Sequence, residues 1–596
     1  MVRRRGVKGW IDGHVGCFPD RPLRKRFWFE VGLEAVLRGS QFSVQILGVN
    51  ALFHDPSAAL VVDGRTVAAA EEERFSRRKH GKRPVPFAAW ELPEQAMAWC
   101  LEEAGLRPEE LDAVAYSFDP ALAKPAEDMG LDDPWDQLRR LYAERAPEFI
   151  ATALPGLDRE QVRFVPHHVA HAASAALAAP VAADGRPCSV LVLDGRGEQA
   201  SHLAGRYHHG TLEVLAAQGL PESLGLLYES LTEHLGFLRS SDEFKVMALA
   251  SYGKPAHLDQ FRELVRTTGD GGFVATIPDW SQWAPQRAPG ETSWPQAYAD
   301  LACTVQTRLE EVLVELARWL HEQTGDRTLA LAGGVALNCV ANSRIWRETP
   351  FERVWVQPAS GDAGTALGAA LHLASEGGRL PEPFTTAALG RGWSDDELAA
   401  ALRRAAVSFT TPRDLAGEVA DILAADGVIA WFDGRSEFGP RALGHRSLLA
   451  HPGQAANLER LNDVKGREQF RPVAPMVLAE KAAEIFDDGP LPSPYMLFVH
   501  RVAPAWRDRI PAVVHVDGTA RIQTIDDETT PHIAALLRAF EQRTGLPVVI
   551  NTSLNTAGRP MVDTPREALE LFGSSPVDAL VLGPHLVRRA AFTEGA

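Results

Sequence analysis

From Ile46 onward, short apolar runs alternate with glycine-bearing polar breaks, a period that favours half-buried strands over helices. "ILGVN" reads as a strand. "SAALVVDGRTVAAA" reads as strand, Asp-Gly turn and strand, and the dipeptide is a strong hairpin signal. A similar sentence opens at Cys188, "CSVLVLDGRGEQASHLAGRYHHGTLEVLAA". The recurrence predicts a duplicated domain, each half headed by a small mixed sheet. Apolar residues then shift to helical spacing over 91–106, with Gly105 near the end, and over a long amphipathic stretch ending at Gly325. "TLALAGGVALN" predicts a buried strand entering a glycine turn, and "SGDAGTALGAALHLA" a turn followed by a helix.

The Pro/Gly-rich stretch "EGGRLPEPFTTAALGRGWSDDEL" is the best candidate linker. Beyond it, "LAGEVADILAADG" predicts a helix, while "VIAWF", "VVHVDGTARIQTI" and "LPVVINTSLN" predict strands. The fold class is therefore α/β, with one domain over 46–385 and a second over 386–596. The duplicated layout of the first is similar to that of the actin, sugar-kinase and heat-shock ATPase superfamily, which binds nucleotide between its halves. Residues 1–45 are basic and aromatic, lack a long apolar segment or small-residue cleavage site, and read as an N-terminal extension.

A chain of 596 residues is too long for one core. Its formal charge of −17 argues against a general nucleic-acid binder, so an anionic ligand must meet a local cluster of Lys and Arg. The five cysteines are scattered without CxxC spacing, as in a reduced, cytoplasmic protein. No apolar stretch has the length of a membrane span.

Three patterns carry candidate chemistry. In "FVPHHVAHAAS", His167 and His171 stand four apart after Pro166, so a helix would turn both imidazoles to one face. The pattern is not HExxH, and two polar residues at an ordinary helix start remain the alternative. Asp194, ending "LVLD", and Asp362, in "SGDAG", are candidate carboxylate partners or plain turn-formers. A His2Asp2 set would suit iron, manganese or zinc. In the glycine turns, Gly333, Gly334 and Asn338 could meet a nucleotide, and the turn ending at Gly364 leads into a helix N-terminus suited to an anion. Finally, Arg441, Arg446, Lys465, Arg467, Arg471 and Arg521 sit among Gly, Pro and apolar residues, with Ser553 in "NTSLN". Grouped arginines of this kind suit carboxylate or phosphate recognition, against the alternative of a solvated charged face.

Taken in order, "HDPSAALVVDG", "HHVAHAASA", "LDGRGE", "DEFKVMALASYGKP", "LAGGVALN", "SGDAGTALG", "EFGPRALGHRS", "KGREQFRPVAP", "HVDGTARIQT" and "NTSLN" resemble the antibiotic and nodulation carbamoyltransferases. This is the NodU/CmcH-type O-carbamoyltransferase family, the tobramycin carbamoyltransferase among them. The resemblance implies an N-terminal ASKHA-type domain and a C-terminal YrdC-like domain. It implies that the latter makes carbamoyl adenylate from carbamoyl phosphate and ATP with Mg²⁺, and that the former passes the carbamoyl group to a hydroxyl, less readily an amine, using bound iron (Fe²⁺).

By motif, it implies His167, His171, Asp194 and Asp362 as metal ligands. Arg441, Arg446, Lys465, Arg471, Arg521 and Ser553 become carbamoyl phosphate and ATP contacts, with Gly333, Gly334, Asn338 and Gly364 at the adenylate. Lys465 and Arg471 act at the reacting groups. His54 of "HDPSA" is either an acceptor-side base or a turn-stabilising residue. The acceptor is a small molecule, a sugar or glycosylated natural product before others, with neither nucleic acid nor membrane as partner; a homodimer is compatible with this. Where relatives read GEP, this chain has "GRP", so Arg559 is given no role. An ASKHA-type small-molecule kinase and a tRNA-modifying threonylcarbamoyl enzyme are the competing readings.

Overall fold

The computed structural model describes residues 43–589, apart from 82–90, 182–184, 289, 292 and 379. Nearly all of the proposed extension at 1–45 lies outside the described residues. The hairpin forms as the Asp-Gly signal requires: β1 (Gln45–Asn50) and β2 (Ser57–Val62) run antiparallel, and β2 turns into β3 (Arg65–Glu71) through Asp63 and Gly64, both with positive φ. Helix α1 (Glu94–Ala104), stopped by left-handed Gly105, leads to β4 (Ala113–Tyr116). Then come β5 (Val162–Phe164) and α2 (His167–Ala176). The sheet order is β3-β2-β1-β4-β5, with β4 parallel to β1 and β5 parallel to β4.

The second repeat follows the same plan. Strands β6 (Cys188–Leu193), β7 (Ala200–His208) and β8 (Thr211–Gly219) form an antiparallel meander. A ribbon, β9 (Val265–Thr267) and β10 (Phe273–Ala275), precedes the long helix α3 (Gln296–Thr324), which ends at Gly325. Next come β11 (Thr328–Ala332), α4 (Cys339–Glu348), β12 (Arg353–Val356) and α5 (Ala363–Glu376). The order β8-β7-β6-β11-β12 repeats that of the first sheet, with β11 parallel to β6 and β12. The duplication read from the sequence is thus present strand for strand.

The helices that close the two repeats cross over. α2 packs on β6 and β11, α5 packs on β1 and β2, and the two helices pack on each other. Small residues permit that contact. A methyl group on Gly368 would lie 1.8 Å from the carbonyl oxygen of Ala170, and one on Gly48 would lie 1.8 Å from that of Ala366. The close approach brings the N-terminal ends of α2 and α5 together.

The remaining segment is built on a seven-stranded sheet. Helix α6 (Leu415–Ala424) precedes β13 (Ile429–Phe432) and β14 (Arg446–Ala450); α7 (Ala456–Lys465) leads to β15 (Ala474–Leu478). A small sheet, β16 (Phe486–Asp487), β17 (His500–Val502) and β18 (Thr519–Ala520), is followed by β19 (Gln523–Ile525), β20 (Val548–Ser553), β21 (Ala579–Leu582) and β22 (His585–Arg588). The large sheet has the order β19-β15-β20-β14-β13-β21-β22 around a core that includes Trp431, Phe432 and Phe540. "VVHVDGTARIQTI" carries two short strands, both after the DG turn, and a break at Arg521 and Ile522 leaves β18 and β19 in different sheets. The expected linker is an irregular stretch that still bonds to both sides, through Ala69 N–H to the Leu389 carbonyl and Gly390 N–H to that of Ser436.

From Gln45 the chain forms one compact unit. Arg74 donates to the carbonyl of Gly439 at 2.9 Å, and Glu71 accepts from the Gly439 N–H at 2.6 Å. Among the described residues, no helix is long and apolar enough to cross a membrane.

Candidate metal centre and anion site

Pro166 ends the extended approach to α2, so His167 and His171 sit one turn apart at its head. Asp194 follows the last residue of β6 and Asp362 immediately precedes α5. The convergence of these ends draws four side chains together. His167 Nε2 lies 3.3 Å from Asp194 Oδ2 and 3.6 Å from Asp362 Oδ1, and His171 Nε2 lies 3.6 Å from each of the same oxygens. One ligand atom from each of the four falls within 4.8 Å of every other, and all four residues are buried.

The surrounding bonds aim these atoms. His167 Nδ1 meets the carbonyl of Ser117 at 3.2 Å, which turns Nε2 toward the cluster. Gly334 N–H holds Asp194 Oδ1 at 3.0 Å. Glu198 accepts the backbone N–H of His167 at 2.8 Å, setting a negative charge at the positive end of the helix. Yet, among the described residues, Asp362 Oδ1 and both ring nitrogens of His171 are buried without a hydrogen-bond partner. Buried polar atoms are seldom left so, and a divalent cation at the middle of the N2O2 set would satisfy them. The residues present fit a metal. Burial alone would raise the Asp194 carboxyl, but His167 and His171 hold it well below the ordinary range.

His54 stands at the edge of this cluster. Its Nε2 is 3.7 Å from Asp362 Oδ2, and its Nδ1 is 2.9 Å from Asp55 Oδ2. Asp55 in turn meets His80 Nδ1 at 2.7 Å. The turn that carries them is tight, with positive φ at Phe53 and Asp55. His168, whose Nε2 lies 3.9 Å from Asp194, is pushed down to about 3 by burial and the neighbouring charge of His167.

The glycine turn at the end of β11 touches both the cluster and the second segment. Gly333 has φ near 89°, and a methyl group there would lie 2.1 Å from the carbonyl oxygen of Leu193. Asn338 caps α4 through Ala341 N–H and bonds Gln306, so its side chain is spent on the turn itself. Gly364 is likewise a packing residue, with Ala359 and Ser174 closing over it. Arg441 donates to the carbonyl of Leu337 at 2.8 Å, joining the loop after β13 to this turn.

The cations gather around the same place. Burial and the adjacent Arg521 lower Arg441 to about 9, and burial with Arg471 and Arg521 lowers Arg467 to about 9. Lys465 ends α7 buried, and donates to the carbonyl and hydroxyl of Ser553 and to both oxygens of Asn555. Burial, together with Arg467, Arg471 and Lys79, holds it well below the ordinary lysine value. Arg471 lies 4.5 Å over the ring of Phe244 and reaches Glu468, which Lys245 also binds. A multiply charged anion placed among these cations would relieve their mutual repulsion.

Arg446 differs from these. Fully buried and stacked 3.7 Å over Phe432, it donates to four carbonyls, those of Asp433, Gly434, His445 and Arg391. Neither Glu198, the last residue of "LDGRGE", nor Lys79 stood out in the sequence.

Two family models match the chain in order. One, described as Carbamoyltransferase N-terminus, covers residues 45–371, and the other, Carbamoyltransferase C-terminus, covers residues 420–589. The chain belongs to the carbamoyltransferase family. It is similar to nodulation protein NolNO of Sinorhizobium fredii, 36% identical over 562 residues that span 91% of this chain and 80% of that one. Nodulation protein U of Bradyrhizobium diazoefficiens is 32% identical over 87% of this chain and 93% of its own length. Among solved structures, T. kodakarensis HypF is 14% identical, with a TM-score of 0.31 over 56% of this chain and 48% of that one. In this carbamoyltransferase, the four N2O2 side chains fall within the N-terminal family segment. Arg441, Lys465, Arg471, Arg521 and Ser553 fall within the C-terminal one.

Proposed function

We propose that the enzyme is an ATP-dependent O-carbamoyltransferase with divided labour, an ASKHA-type domain over 46–385 and a YrdC-like domain over 386–596. The observation that supports this best is the Arg441 bond to Leu337, because it sets the buried cations against the turn whose Gly334 holds Asp194. In the C-terminal domain, carbamoyl phosphate and water give carbamate and phosphate. Carbamate oxygen then attacks the α-phosphorus of Mg²⁺-bound ATP, giving carbamoyl adenylate and pyrophosphate. Lys465, Arg471, Arg441 and Arg521 neutralise the phosphates, with Ser553 fixing Lys465. Arg446 shapes the loop that carries Arg441.

The adenylate is consumed beside the N2O2 cluster, where the acceptor hydroxyl forms its bond to the carbamoyl carbon and AMP leaves. Asp55 orients His54 so that Nε2 takes the hydroxyl proton. An iron(II) ion held by His167, His171, Asp194 and Asp362 would supply Lewis acidity toward the carbamoyl carbonyl. Enclosure between the domains keeps water from the unstable adenylate. The acceptor is a natural-product hydroxyl, a sugar before others, and the reaction takes place in the cytoplasm.

The test is to incubate the protein with carbamoyl phosphate and Mg-ATP without acceptor, and to seek carbamoyl adenylate by mass spectrometry and pyrophosphate by coupled assay. Arg471→Ala is expected to lower adenylate formation by roughly ten- to a hundredfold, the worth of a charge-assisted hydrogen bond. Unchanged formation sinks the cation assignment. His167→Ala is expected to spare the adenylate and stop transfer; equal loss of both steps refutes the division. ADP as the product would instead mean a kinase, and salt-sensitive tRNA binding a tRNA-modifying enzyme.

A further inference from the structure

A cleft opens beside Glu198, the carboxylate that holds the head of α2. Its interior holds about 20 Å³, roughly one water, beneath an open mouth, and its wall includes Phe53, Phe118, Asp133, Arg139, Arg196 and Glu198. The floor is the ring of Phe53, which stands edge-on to His167 at 5.7 Å and to Phe118 at 5.8 Å. Two guanidinium groups lie over that ring, Arg139 at 5.3 Å and Arg196 at 5.1 Å from its centre.

Both arginines donate to one oxygen, Asp133 Oδ2, each at 2.6 Å. One carboxylate between two guanidiniums leaves a positive charge over. Arg139 is only 9% exposed, and its Nε has no acceptor. Burial and Arg196 together hold Arg139 below its ordinary value, and the arginine pair outweighs burial to hold Asp133 at about 2. The other acidic groups of the wall are already engaged. Glu198 binds the backbone N–H of His167 and Asp119, and Asp136 pairs with Arg140 at 2.9 Å. Lys124 adds a further cation to the wall.

An ion pair needs one guanidinium for one carboxylate; a second, packed beside it against an aromatic ring, is a cost that a bound oxyanion would offset. Resting on the carbamoyl-transfer reading, we infer that this cleft recognises the acceptor by an oxyanion, a carboxylate or phosphate ester, carried on the same molecule as the hydroxyl to be carbamoylated. Arg139 and Arg196 grip the anion at the mouth of the cleft, Phe53 backs the two guanidiniums from below, and the hydroxyl is left to face the centre. The neighbouring charge would disfavour cationic acceptors.

Binding of D-glucuronate, D-glucose 6-phosphate and D-glucose to the full chain is measured by calorimetry without ATP. At least one charged sugar is expected to bind about tenfold more tightly than glucose, a difference of about 1.4 kcal/mol. Which one binds tells carboxylate from phosphate. Arg196→Met, at the more open of the two arginines and checked for folding by circular dichroism, is expected to erase the preference. Equal binding of all three, binding of none, or a preference that survives Arg196→Met overturns the inference. Carbamoyl adenylate formation in the same preparation reports separately on the catalytic reading.

Discussion

Addition of one methyl group at Gly368, where α5 meets α2, tests how the centre is built. A Cβ at Gly368 would lie 1.8 Å from the Ala170 carbonyl oxygen and 2.7 Å from the Ser174 nitrogen, both backbone atoms that no rotamer can move. Contacts under 3.0 Å essentially never occur, so Gly368→Ala must drive α2 and α5 apart by roughly 1.2 Å. His167 and His171 ride on α2 and Asp362 heads α5, so the 3.6 Å separations widen by up to that amount. Over-packing costs about 1–3 kcal/mol, and alanine regains up to about 1 kcal/mol of helix propensity. The net expectation is a loss of about 1 kcal/mol in stability and at least about tenfold in affinity for a divalent metal. Denaturant unfolding and a cobalt(II) titration followed by its visible bands read the two effects. Carbamoyl adenylate formation should persist, because no C-terminal cation touches this contact. Wild-type metal affinity in Gly368→Ala would refute the claim that helix packing sets the cluster.

Two further outcomes follow from the seam between the segments. Burial raises the Glu71 carboxyl from 4.5 to about 7 against the pull of Arg74. A raised folded value means that its contribution is full below pH 4.5 and is lost as pH rises through about 7, an effect of about 3 kcal/mol. The unfolding midpoint should fall between pH 5 and 8, and Glu71→Gln should flatten that slope; an unaltered slope removes Glu71 as its source. Arg446→Lys cannot reach four carbonyls with one ammonium, and is expected to cost about 2 kcal/mol of stability. If thermal unfolding is unchanged while the KM for carbamoyl phosphate rises, Arg446 touches substrate instead.

The repeat was legible because β-hairpin chemistry is local. Asp63-Gly64 specifies its turn without help from the rest of the chain, and an apolar run after Cys188 does the same for β6. The stretch around Asp517-Gly518 was less legible for the converse reason: the β-prone residues before the turn form no strand, and tertiary pairing decides which sheet takes each short piece after it. Residue types at the two sites were also legible, since His167 and His171 share a helical face wherever the helix lies. What the sequence could not convey was burial. Arg446 and Arg441 stand five apart in one motif, yet one is spent on carbonyls and the other faces cations. Arg139 and Arg196, 57 positions apart, acquire meaning only once Asp133 and Phe53 stand between them.

The strand-for-strand repeat also bears on ancestry. Two identical halves about a twofold axis can offer a centre only matched pairs, each donor mirrored by its twin. Here corresponding helices bring imidazoles from one half, at the head of α2, and a carboxylate from the other, at the head of α5. Corresponding strand ends carry Asn50 in one and Asp194 in the other. Two halves carried in one chain are free to differ from each other, and a cluster of two imidazoles and two unrelated carboxylates needs that freedom.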